Sequence, residues 1–154
     1  FFANNQILFR SEHISFYTRL LEGNYPDTDR LIPTEFNTEA TFNVANLRFA
    51  MERARLLSNA TQNGTVKLEF KNGVVSSHVH SPEVGRVNEE IDTSAVSGED
   101  LSISFNPTYL IEALKAIDSE QVVIRFISSV RPFTLVPEGN EQGFIQLITP
   151  VRTN

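Results

Sequence analysis

The stretch ATFNVANLRFAMERARLL, Ala40 to Leu57, runs an alternating strand straight into an amphipathic helix. Ala40, Phe42 and Val44 take every second place, which puts them on one face of a strand, and Leu47, Ala50, Met51, Ala54 and Leu57 then recur at helical spacing. The pattern returns 61 positions later in LSISFNPTYLIEALKAI, Leu101 to Ile117. There Leu101, Ile103 and Phe105 alternate, and Leu110, Ala113, Leu114 and Ile117 repeat the stripe. Several strand-like runs follow each helix. Two βαβββ units result, and they predict a pseudo-symmetric α+β domain with both helices side by side on one antiparallel sheet surface.

Working outward, the first helix is expected over about Asn46 to Ser58, followed by Val66, Leu68 and Phe70, the pair Asn72-Gly73, and Val75 to Val79. Asn-Gly between alternating runs signals a tight hairpin, because both residues tolerate positive φ. Val87 to Ile91 closes the first half, and Ser97 to Asp100 reads as a link. In the second half Asn106-Pro107 starts the helix, with Pro where its missing N–H costs nothing. Strands are expected near 121–128, 132–136 and 143–148. Before all this come two runs, Ile7 to Arg10 and Ile14 to Leu20, and then a turn-rich stretch in which Pro26 and Pro33 forbid a continuous helix or central strand. That stretch is the expected domain boundary.

With 154 residues, 40% of them hydrophobic and 12 Phe, the chain can bury a core of its own. Zero Cys excludes disulfides, Cys-ligated zinc and thiol catalysis, and fits a reducing compartment. No apolar run approaches the roughly 20 residues that span a bilayer, and no basic-then-apolar signal opens the chain. Its start at Phe1, already in strand-like sequence, reads as a chain lacking its natural beginning. A net charge of −6 argues against non-specific nucleic-acid binding by the whole surface, though not against a small basic patch.

Side chains with chemical potential are few. His78 and His80 share a strand face and could hold a metal with His13 or Glu83, but a solvated strand face is the favoured reading. Asp27 and Asp29 could form an acid/base pair, yet Asp is common in turns. No phosphate-binding glycine loop, nucleophile elbow or His-Glu-x-x-His pattern is present. Asn59-Ala60-Thr61 and Asn63-Gly64-Thr65 match the glycosylation sequon by chance, without a secretory signal.

On the first helix Arg48, Glu52 and Arg55 lie opposite the apolar stripe, and Arg48, Arg55 and Lys115 of the second helix could face phosphates. Phe49 and Leu56 fall outside both sets, which points either to an extra contact surface or to a broad apolar face. A hydrophobic strand from Phe144 that meets Pro150 cannot continue in a central sheet position. Its last residues must peel away, and with Pro26, Leu31 and Tyr109 they could line a groove for an extended peptide.

Four segments, GNYPDTDRLIP (Gly23 to Pro33), ISFNPTYLIEALKAI (Ile103 to Ile117), Arg131-Pro132-Phe133 and QLITPVRT (Gln146 to Thr153), resemble in order the bacterial sliding clamp, the β subunit of DNA polymerase III. The resemblance covers the whole chain. It implies that residues 1–29 are the last strands of the clamp's second, central domain and that residues 30–154 are a complete third domain of the DNA-clamp fold. It implies a cytoplasmic, non-catalytic processivity factor without a cofactor or metal. In that family two subunits close a ring around duplex DNA, helices inward, and the ring tethers the replicative polymerase, the clamp loader and repair polymerases. A peptide-binding adaptor without a DNA role, and a metal-dependent enzyme built on His78, His80 and Glu83, are the alternatives.

Carried onto matching positions, the resemblance implies a hydrophobic partner-peptide pocket of Pro26, Arg30, Leu31, Asn106, Tyr109, Val130, Pro132, Leu147, Ile148, Thr149, Pro150, Val151 and Arg152. Thr149 stands where the family often has an aliphatic residue, which should weaken that contact. Leu56 and Leu57 match the subunit interface, and Arg48, Arg55 and Lys115 the DNA-facing surface. With the partner surface and the rest of the pocket wall carried by upstream domains, this segment alone should hold an incomplete pocket and fail to close a ring.

Overall fold

The computed structural model describes residues 2–3, 5–25, 27–58, 64–81, 85–140 and 143–152. It separates into two units, Phe1–Leu31 and Ile32–Asn154. The first is a small antiparallel meander, β1 (Phe2–Ala3), β2 (Gln6–Arg10) and β3 (Ser15–Arg19), followed by a 3-10 turn at Thr28–Arg30. Phe9 and Phe16 face each other across the hairpin with ring centroids 6.3 Å apart. Both rings, with Ile14 and Tyr17, remain more than half exposed.

The second unit contains the duplication. Its first half is β4 (Thr38–Asn43), α1 (Val44–Ser58), β5 (Val66–Lys71), β6 (Val74–Ser81) and β7 (Gly85–Ile91). After β8 (Ala95–Gly98) the second half follows as β9 (Leu101–Phe105), α2 (Pro107–Lys115), β10 (Gln121–Phe126), β11 (Phe133–Pro137) and β12 (Gln146–Ile148). The expected single sheet surface is in fact two sheets, ordered β12-β11-β10-β4-β8 and β7-β6-β5-β9. Each half therefore lends its first strand to the other half's sheet. Every described pairing is antiparallel, and the strands on either side of each helix lie in different sheets, β4 and β5 around α1 and β9 and β10 around α2.

Local chemistry sets the elements. The Asn43 side-chain carbonyl accepts the Asn46 N–H at 3.1 Å, so α1 begins at Val44, two residues before its expected start. Asn106 caps α2 in the same way, accepting the Thr108 N–H at 2.9 Å ahead of Pro107. Asn106→Ala should remove about 1 kcal/mol of stability, read as a lower urea midpoint with an unchanged slope. Asn72 (φ 52°) and Gly73 (φ 79°) make the expected two-residue turn between β5 and β6.

The helical stripes are core. Leu47, Ala50, Met51, Ala54, Leu110, Ala113, Leu114 and Ile117 are buried, and Leu57 is half-buried. The helices pack on each other, α1 chiefly over β6 and α2 over β12. Where the two sheets meet, Phe70 of β5, Phe126 of β10, Phe133 of β11 and Phe105 of β9 form a chain of rings with successive centroids 4.9, 5.1 and 5.1 Å apart. These fully buried aromatics hold one sheet to the other.

Strand β8 runs into the stretch that the sequence suggests is only a link, because four residues ending in glycine are too short to carry a strand signal. Its order comes from β4, through pairs such as Thr38 with Gly98. Gly98 sits at φ +98°, and a Cβ there would lie 1.9 Å from the Asn37 carbonyl oxygen, which already accepts the Glu99 N–H at 3.1 Å. Both the backbone conformation and the contact exclude a side chain. Gly98→Ala should therefore cost roughly 2–3 kcal/mol in urea unfolding.

Candidate functional site

At the far end of the second unit the chain peels away as the proline dictates. Strand β12, an edge strand, stops at Ile148, and the Val151 N–H then donates to the Ser104 carbonyl at 2.7 Å on β9, an edge of the other sheet. The tail thus bridges the two sheets and bounds a hollow on each side. One hollow, of about 380 Å³, is walled by Tyr109, Glu112, Ala113 and Ala116 of α2 and by Gln146, Leu147, Ile148 and Thr149. Ile148 is core and forms its floor, whereas the Tyr109 side chain is 60% exposed. The other hollow, of about 450 Å³, includes Ser129, Val130, Val151 and Arg152 in its lining.

Of the pocket residues expected from sequence, Tyr109, Leu147, Ile148 and Thr149 line the first hollow, and Val130, Val151 and Arg152 the second. Asn106 is committed to its helix cap, and neither it nor the half-buried Pro132 bounds either hollow. Pro150 lies in the tail between the two groups. Arg30 and Leu31 belong to the first unit, where Arg30 pairs with Asp27 at 2.9 Å and Leu31 is exposed. Pro26 lies outside the described residues. Sequence reasoning missed Ala113 and Ala116, whose small side chains open the first hollow; their place on α2 beside Tyr109 was the available signal.

A second feature forms at the end of α1. Ala54, Leu56 and Leu57 face Ser77, Val79 and Val87 across a mostly apolar hollow of about 300 Å³. Leu56 is 72% exposed, and Phe49, the other outlier of the sequence pattern, is half exposed. Arg53 and Glu89 pair across one side of this hollow. The Glu89 hydrogen bond, reinforced by its charge, raises the Arg53 pKa further above its already high ordinary value.

The basic residues expected on the helices carry tempered charge. Arg48 lies 3.8 Å from Glu52, too far for a hydrogen bond, and stacks over Phe49 at 5.4 Å. Lys115 pairs with Glu112 at 2.9 Å. Arg55 is half-buried and has no carboxylate partner among the described residues.

His78 is held on both sides. Its Nδ1 is 2.8 Å from the Asn88 Oδ1, and its Nε2 is 2.9 Å from Ser76 Oγ and 3.2 Å from Glu69 Oε2. Among the described residues no three His, Cys, Asp or Glu side chains converge as metal ligands. Glu83, the Asp29 side chain and most of both sequons lie outside the described residues. No helix of the described residues is long and apolar enough to cross a membrane.

Comparison with known proteins gives a consistent result. The family model described as DNA polymerase III beta subunit, C-terminal domain, matches residues 29–152. The chain is 80% identical to the beta sliding clamp of Streptococcus pneumoniae serotype 4 and 56% identical to that of Lactococcus lactis subsp. lactis, over its whole length in each case. It spans 41% of the length of both relatives. The crystal structure of the DNA polymerase III beta chain from S. pneumoniae superposes with a TM-score of 0.92 over 99% of this chain and 41% of that one, again at 80% identity. The duplicated α+β architecture is thus that of the clamp fold, and the chain belongs to the DNA polymerase III beta subunit family, the beta sliding clamps.

Proposed function

We propose that this chain is part of a ring-shaped, non-catalytic processivity factor acting in the bacterial cytoplasm, which encircles duplex DNA and tethers the replicative polymerase. The observation that carries the reading is 80% identity to a beta sliding clamp along the whole chain, joined to the clamp architecture of the fold. In this reading residues 30–154 are the third domain and residues 1–29 the last strands of the second. The exposed rings of Phe9, Phe16 and Tyr17 support that division, since a three-stranded sheet bearing such apolar surface calls for a further layer.

The physics of the ring favours weak, sequence-blind contacts. A closed annulus stays on DNA by topology, so its phosphate contacts need only be loose enough to slide. Arg48 and Lys115, whose charges are shared with Glu52 and Glu112, and the half-buried Arg55, on a chain of net charge −6, suit that role. The apolar hollow beside Leu56 and Leu57 suits subunit contact. The hollows on either side of the C-terminal tail suit linear peptides of the polymerase, the clamp loader and repair polymerases, with aliphatic anchors seated below a polar rim.

The reading is tested by primer extension on a singly primed circular template. A subunit of the relatives' full length carrying this segment, supplied with its loader, should lengthen the products of each binding event of the cognate polymerase. Product lengths unchanged by the subunit would overturn the reading.

A further inference from the structure

The outer face of the β7-β6-β5-β9 sheet carries a feature apart from the residues proposed above for subunit contact and for DNA. Along these strands the inward positions are core residues such as Val66, Leu68, Val75 and Val79, so the alternate positions face out. They form cross-strand rows: Arg86 beside His80, and Asn88, His78, Lys67 and Ser104 in line across all four strands. Thr65, Lys67, His78, His80, Arg86, Asn88 and Ser104 line a hollow of about 460 Å³ on this face. Lys67 and Ser104 also line the hollow that contains Val130, Val151 and Arg152, so the two join into one trough.

The charge of this trough runs against that of the chain. On a protein of net charge −6 its described lining includes Lys67, Arg86, Arg152, His78 and His80, with the Glu69 carboxylate at its border, 3.2 Å from His78. Lys67, Arg86 and Arg152 form no ion pair among the described residues, whereas His78 is already engaged with Glu69. From β9 to β7 is three strand spacings, about 14 Å, the length of roughly four extended residues. Exposed Glu90, paired in register with Ser76, stands beyond the row, which limits the basic track to a short segment and disfavours a long polyanion.

We infer that this trough receives an acidic segment flanking the peptide motif seated against the C-terminal tail. It adds a charge preference to the aliphatic one, and it rests on the peptide-pocket reading above. Solvated pairs at such a rim contribute little singly and are screened by salt, so the expected gain is roughly five- to tenfold in affinity at low ionic strength.

The test uses a polymerase-derived motif peptide synthesised plain and with a short run of glutamates, serines or lysines at one end or the other. Binding is followed by fluorescence anisotropy at two salt concentrations. Glutamates at one end should tighten binding roughly five- to tenfold over serines, lysines there should weaken it, and added salt should erase the difference. In Arg86→Glu, a change outside both hollows beside the tail, the plain peptide should bind as before and the glutamate gain should vanish. Equal affinity for glutamate and serine forms at both ends, or a gain that survives this substitution, would overturn the inference. Displacement of the acidic flank by a single-stranded oligonucleotide at equal charge would reassign the trough to nucleic acid and overturn it too. Failure of the plain peptide to bind would instead remove the pocket reading itself.

Discussion

Replacing Leu56 and Leu57 together by Ala, in a subunit of the relatives' full length, should leave it monomeric at concentrations where the parent self-associates. Leu56 places an aliphatic side chain 72% in water on the last turn of α1, beside an apolar hollow that the domain does not fill for itself. Such an arrangement costs the isolated domain and benefits only a partner able to cover it. Central aliphatic anchors are worth about 2 kcal/mol each when truncated, so losing both should weaken association by about 4 kcal/mol, roughly a thousandfold. Leu57 also packs on the core, so its loss lowers fold stability as well. Leu56→Ala alone separates the two effects: it should shift the sedimentation-velocity equilibrium toward monomer and barely move the unfolding midpoint. Unchanged self-association of the double variant would remove these residues from the interface.

The second large effect belongs to the tail. Tyr109→Ala, or removal of Pro150 to Asn154, should weaken binding of a polymerase-derived peptide by about 10- to 100-fold in calorimetry, equivalent to roughly 1.4–2.7 kcal/mol. Tyr109 stands 60% exposed over the hollow between α2 and β12, where a ring can cover an aliphatic anchor. Removing the tail takes away Val151 and Arg152, and with them the hydrogen bond to Ser104 that fixes their position. Because Tyr109 leaves the core untouched, its substitution should lower affinity without moving the unfolding midpoint. Tight binding by both variants would place the peptide elsewhere.

The readable parts of the sequence were those where a side chain announces its own environment. Alternation over Ala40 to Val44 and Leu101 to Phe105, and the helical stripes after them, marked buried faces because burial is what those periods record. Asn106-Pro107 and Asn72-Gly73 were legible because capping and positive φ are local demands. Strand β8 was not, since its pairing is dictated by the backbone of β4, where Thr38 pairs with Gly98 60 residues later, and not by its own composition. The division into two sheets was equally hidden. It depends on which strand β9 pairs with, and pairing choice leaves no mark within one strand.

The same contrast holds for the candidate site. The peel-away at Pro150 and the surplus apolar positions Phe49 and Leu56 could be read from residue chemistry. The joining of Lys67, Arg86 and Arg152 into one basic trough could not, because they come from β5, β7 and the tail, and only the sheet register brings their rows together.

The most direct test of the ring is its retention on DNA of different topology. A full-length subunit carrying this segment is loaded onto nicked circular plasmid, separated from free protein by gel filtration, and the plasmid is then cut once. The protein should stay with the circle through the column and leave within minutes of linearisation, because a sliding ring escapes at an open end. Release at the same rate from circular and linear DNA would contradict topological binding.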